Sequence, residues 1–174
     1  MRTTGVVFIL ASVVLLGMLV IKSIQADFYF ERDYGSQWQL ADRASTIKAK
    51  RDKLTEFVWR LRHSDEFSDH NAVFLDTDAN SFDRNVEVLD TLVKRLDEIQ
   101  TMPVDSFQYN TAIQQITAQE QGEAHAMMNV FDGCYRLHNY PLAWSWILAW
   151  SIVVALVMLT IGVLVILTDM YNSY

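Results

Sequence analysis

Two long runs without a charged residue, Gly5–Ile21 and Leu142–Thr168, bracket a stretch in which apolar residues recur at helical spacing. The second run is 27 residues long, about 40 Å as a helix at ~1.5 Å per residue. A hydrocarbon core is ~30 Å thick, so such a helix crosses it tilted or with one end among the headgroups. Trp144, Trp146 and Trp150 crowd its beginning, and Tyr171 and Tyr174 its end. Amphipathic rings favour the headgroup level, which sets the apolar core at Ile147 to about Leu167. The first run is shorter, but Lys22 can reach back to the interface and let the helix continue to Ile24. Its rival reading is a cleaved signal peptide ending near Ile24-Gln25-Ala26. Against that stand the single basic residue of the leading segment, Arg2, and Lys22 just ahead of the cleavage site. The chain is therefore expected to be an all-α membrane protein: an anchoring helix over 1–26, a hydrophilic helical domain over 27–140, and a second spanning helix over 141–174.

Within the middle segment, Leu40, Ile47, Leu54 and Leu61 recur every seven residues, with Ala44 and Val58 between them. This short heptad run, of coiled-coil type, predicts one amphipathic helix from about Ser36 to Arg62. Asp65–Ser81 is rich in Ser, Asp and Asn and reads as a loop with a short turn at Ala72–Leu75. Phe82, Val86, Leu89, Leu92, Val93, Leu96 and Ile99 mark a second helix capped by Asn80 or Ser81 and ended by Met102-Pro103. A third pattern starts at Asp105 or Ser106 and runs through Ile113, Ile116, Met127, Val130, Phe131, Cys134 and Leu137. Gly122 lies inside it and costs ~1 kcal/mol in a helix interior, so a break is expected there. A chain that leaves a membrane and returns to it needs an even number of full passes. Two arrangements satisfy that: a four-helix bundle with the third pattern broken near Gly122, or a long hairpin kinked at Pro103.

Charge sharpens this picture. The middle segment holds twelve basic and twenty acidic residues, a net of −8, which argues against a nucleic-acid partner. Arg43–Arg62 carries a net +5 and Asp65–Asp105 a net −8, so the first helix and the segment after it have opposite fields suited to docking. Basic residues beside the spans are Arg2 on the tails against Lys22, Arg32 and Arg136 on the middle segment. Loops beyond ~60 residues escape the positive-inside rule, and a short tail before an apolar anchor commonly directs the next segment of chain across the membrane. The domain is expected outside the cytoplasm and both termini inside. The one cysteine, Cys134, cannot form an intrachain disulfide and reads as a small core residue.

Candidate chemistry is sparse. Asp76, Asp78, Asn80 and Glu87 stand at positions 1, 3, 5 and 12 of a calcium-binding loop. Ser81 replaces the glycine of position 6 and Asp83 the apolar residue of position 8, so an Asp/Asn-rich turn entering a helix is the simpler reading. His63 and His70, with Asp65, Glu66 and Asp69, and Glu120, Glu123 and His125 lack the Glu-x-x-His spacing of bundle metal sites. No nucleophile triad, phosphate loop or zinc spacing is present, and no cofactor is expected. In the second span Ser151, Ala155 and Gly162 share a face on which another helix can approach closely. Lys22, Trp144, Trp146 and Trp150 are the interfacial anchors.

With four residues before the first span and about six after the second, neither tail is expected to hold an output domain. The expected function is that of a non-enzymatic accessory subunit of a membrane assembly. It would act through the helical domain and spans on the bilayer and on other membrane subunits or further copies of itself. The alternatives are a ligand-sensing bundle that signals through a partner's spans, or a small regulator of another membrane protein.

Overall fold

The computed structural model describes residues 2–67 and 77–172, with side chains described except at 2, 117–125 and 145. All elements among these residues are helical. They are α1 (Arg2–Phe30), a π-helical turn (Glu31–Gly35), α2 (Ser36–Asp42), α3 (Ile47–His63), α4 (Phe82–Gln100), α5 (Phe107–Asn139) and α6 (Ser145–Tyr171). Short 3-10 turns at Asp78–Asn80 and Pro141–Ala143 precede α4 and α6. Two of the helices, one from Thr3 and one from Trp146, are long and apolar enough to cross a membrane. The chain divides into two compact units: Met1–Asp27 with Tyr140–Tyr174, and Phe28–Asn139.

In the first unit the two apolar helices run antiparallel along a seam of seven-residue period. Gly5, Ser12, Leu19 and Ala26 are buried on one side, Ala155 and Gly162 on the other. A methyl group added at Gly5 would lie 2.8 Å from the carbonyl oxygen of Gly162, and one at Gly162 would lie 2.9 Å from that of Gly5. Both glycines are thus required by backbone-to-backbone approach, which gives the packing that holds helices together in lipid. A sustained seven-residue seam is that of a left-handed pair. Ser12 does not leave a polar atom stranded there, because its Oγ donates to the Ile9 carbonyl at 2.8 Å.

The second unit is a helical bundle of four passes. The helix that begins in the first unit supplies one of them, through Phe30, Tyr34, Trp38 and Ala41; α3, α4 and α5 supply the rest. Two boundaries differ from those read off the sequence. The expected helix Ser36–Arg62 is two helices. α2 ends at Asp42, and Thr46 opens α3 with its hydroxyl accepting from the Ala49 amide at 3.1 Å. An N-cap of this kind satisfies an amide that no carbonyl can reach. Leu40 therefore does not share a seam with Ile47, Leu54 and Leu61; it is 53 % exposed, while Leu54 and Leu61 are 1 % exposed. The expected break near Gly122 is absent: α5 runs through it as one helix of 33 residues. Thirty-three residues of propagated helix outweigh one unfavourable glycine. The chain turns at Thr101–Ser106 without a kinked-hairpin arm, and Ser106 caps α5 by accepting from Tyr109 N at 3.1 Å. The short turn expected at Ala72–Leu75 lies outside the described residues.

Two apolar regions fill the bundle. One gathers Ala41, Leu54, Leu92, Leu96, Ile99 and Ile116, with Trp38, Ile47 and Met102 against them. The other is aromatic. Trp38 meets Phe57 at 5.8 Å between ring centres, Phe57 meets Phe131 at 6.2 Å, and Phe131 meets Phe82 at 5.6 Å. Edge-to-face pairs like these add to the burial of large rings.

Candidate functional site

Of the candidate calcium-loop residues, Asn80, Asp78 and Glu87 make other contacts. Asp76 lies outside the described residues. Asn80 closes the 3-10 turn, its Oδ1 accepting from the Thr77 amide at 3.0 Å. Asp78 and Glu87 both face the Arg84 guanidinium, at 3.7 and 3.2 Å. A cation already stands where two of the expected ligands meet. Among the described residues no group of three or more His, Cys, Asp or Glu is placed to hold a metal ion; His70 and Asp69 lie outside them.

The small face of the second apolar helix is covered by the chain's own first helix. Ala155 is fully buried and Gly162 is pressed on Gly5, while Ser151 is half-buried on the same seam. The expected interfacial residues are placed around this pair. Trp146 and Trp150 are more than half exposed, and Trp144 is half-buried at the start of α6. The Lys22 ammonium lies over the Tyr140 ring, 5.9 Å from its centre, an attraction to the negative face of the ring.

In the bundle, one cluster has no signature in the sequence. Tyr34, on the π turn, packs against Phe30 (5.8 Å), Phe67 (4.9 Å) and Tyr135 (5.9 Å). Its hydroxyl donates to Ser64 Oγ at 2.7 Å or to Glu66 Oε2 at 2.6 Å. Burial, and then the Glu66 carboxylate, push the Tyr34 phenol well above its ordinary range. Cys134 is buried as expected of a core residue, and burial pushes its thiol up to about 12, away from the thiolate a nucleophile needs.

The segregated charge is partly consumed between α3 and α4. Arg51 reaches Asp97 at 3.1 Å, and Arg62 pairs with Asp90. Lys53 and Arg60 instead share Glu56 of their own helix, holding its carboxyl below the usual carboxylate range through Arg60 first and Lys53 second.

The Arg51–Asp97 pair places the start of α3 beside the end of α4. The turns 43–46 and 101–106 therefore lie at one end of the bundle. At that end Phe107 is 84 % exposed, Val104 67 % and Leu40 53 %. Just beneath, Ala41, Ile47, Met102 and Tyr109 are packed into the core. Three large apolar side chains are thus exposed at this end of the bundle. The helical pattern from Ile113 onward does not reveal Phe107, and the seven-residue spacing assigns Leu40 to a seam it does not join.

Comparison with family models, curated proteins and solved structures finds no match to this chain.

Proposed function

We propose that this chain is a non-enzymatic, membrane-anchored interaction subunit, held in the bilayer by its two apolar helices and acting through the four-pass bundle. The observation that carries this reading is the exposure of Leu40, Val104 and Phe107 at one end of the bundle. Exposed apolar side chains at one end of a bundle suit a surface that another protein covers, and rigid helices beneath them keep the ordering cost of docking low. The test is a pull-down of the full chain from its native membrane in mild detergent. A stoichiometric protein partner is expected, and Phe107→Asp or Val104→Asp should remove it while circular dichroism stays unchanged. Capture that is indifferent to both substitutions would defeat the reading.

In this reading both termini face the cytoplasm and the bundle lies on the other side. Reporters placed after Tyr171 and at Asp78, which is almost fully exposed, should give opposite signals. Matching signals would mean that one apolar helix does not cross.

A second reading, a ligand-sensing bundle that signals through a partner's spans, is favoured by two cavities flanking α4. One, of about 670 Å³, lies against Asn85, Val88, Leu92 and Met127; the other, of about 640 Å³, against Leu61, Phe67, Phe82 and Val86. A small molecule that raises the melting temperature of the full chain, and loses that effect in Val88→Glu, would support it over the first.

A further inference from the structure

The cavity of about 640 Å³ between α3 and α4 is a groove with an apolar floor and a charged rim. Leu61, Phe67, Phe82 and Val86 form the floor, and all four are buried. Asp83, Glu87, Asp90 and Lys94 line it along α4. Their steps of four, three and four residues keep them in one row on one helix face. The two inner members are occupied, Glu87 by Arg84 and Asp90 by Arg62 reaching over from α3. The two outer members, Asp83 and Lys94, are exposed and form no ion pair among the described residues. A carboxylate and an ammonium thus stand unpaired at opposite ends of the groove. They are eleven residues apart, about 16 Å on a helix that rises ~1.5 Å per residue.

We propose that this groove binds a short extended peptide of about five residues, its terminal amine at Asp83 and its terminal carboxylate at Lys94. The inference rests on the second reading above, a bundle that takes a ligand, and names the ligand class for one of its two cavities. An extended chain advances ~3.3 Å per residue, so about five residues span the distance between the two free charges. A peptide carries its charges at opposite ends. A single amino acid carries both on one carbon and cannot reach Asp83 and Lys94 together. Successive side chains of an extended segment point to opposite sides, so a central apolar side chain can face Leu61, Phe67, Phe82 and Val86 while its neighbours face water. A guanidinium has five donors, so Arg62 can hold Asp90 and still meet a carbonyl of the bound main chain.

The experiment is equilibrium dialysis of the full chain in lipid nanodiscs against a radiolabelled alanine pentapeptide with leucine at its centre. Acetylating the amine or amidating the carboxylate removes one charge at a time and leaves the protein untouched. Each blocked peptide is expected to bind about fivefold more weakly, the upper end for an exposed pair. Asp83→Asn should weaken the free peptide by the same factor and leave the acetylated one unmoved; Lys94→Gln should stand in the same relation to the amidated one. A tripeptide, ~10 Å long, reaches only one of the two charges and should bind less tightly than the pentapeptide. No retained peptide, or equal retention of free and blocked forms, would overturn the proposal. Discrimination that survives both substitutions would put the peptide elsewhere and overturn it equally. If another small molecule nevertheless raises the melting temperature of the full chain, the ligand-taking reading stands and only the peptide is lost.

Discussion

At Tyr34 one side chain combines ring packing with hydrogen bonding at its tip. Its ring meets three others, and its hydroxyl serves Ser64 and Glu66. Tyr34→Phe keeps the rings in place and removes the donor, so it should cost about 1–2 kcal/mol by chemical denaturation. Tyr34→Ala also empties the ring site and should cost about 3–5 kcal/mol. Equal losses in the two variants would mean that the hydroxyl, not the ring, carries the residue. Cys134 gives a second check with a definite sign. Its thiol is raised from an ordinary value of 9.0 to about 12, so the folded state favours the protonated form. That contribution is intact below pH 9 and is lost as pH climbs towards 12. Tyr34 adds an alkaline loss of the same sign above its ordinary value of 10.0. Melting temperature should therefore fall through this window, and less steeply in Cys134→Ala than in the parent chain. Parallel curves would show that the thiol titrates freely.

The helices themselves record where sequence pattern is sufficient and where it is not. The charge-free runs identify both apolar helices, and the stripe Phe82, Val86, Leu89, Leu92, Leu96 and Ile99 is buried in α4 as its spacing requires. Leu40 and Ile47 are also seven apart, yet the Thr46 cap lies between them; a period cannot distinguish one helix from two that happen to keep step. The exposed end is illegible for a related reason. Phe30, Tyr34 and Ala41 are buried, while Leu40, next to Ala41, is 53 % exposed. Both neighbours are apolar, so hydrophobicity alone does not say which of the two faces the core.

The two units are stabilised by different means, and substitutions should separate them. In the apolar pair the seam continues one heptad from Gly5 and Gly162 to Ser12 and Ala155, both fully buried. Cysteines at Ser12 and Ala155, in a Cys134→Ala background, should form a disulfide that Gly162→Leu abolishes, because a leucine there meets the Gly5 backbone. In the bundle the corresponding test is of charge. The net +5 of Arg43–Arg62 and the net −8 of Asp65–Asp105 suggest wholesale attraction, but between α3 and α4 the structure shows specific cross-helix pairs, Arg51–Asp97 and Arg62–Asp90. Arg51→Glu and Arg62→Glu each replace an attraction by a like-charge contact and should cost about 1 kcal/mol at low salt, the upper end for exposed pairs. Lys48→Glu, which breaks no ion pair in the described bundle, should leave its melting unchanged. Raising the salt should shrink the penalty of the two arginine variants, since at 0.1 M exposed charges are screened over ~10 Å. Equal penalties for Arg51, Arg62 and Lys48 would mean that the diffuse field of α3, and not these two contacts, aligns it with α4. No penalty for any of them would leave the apolar seams Leu54, Leu61, Leu89 and Leu96 to set the register alone.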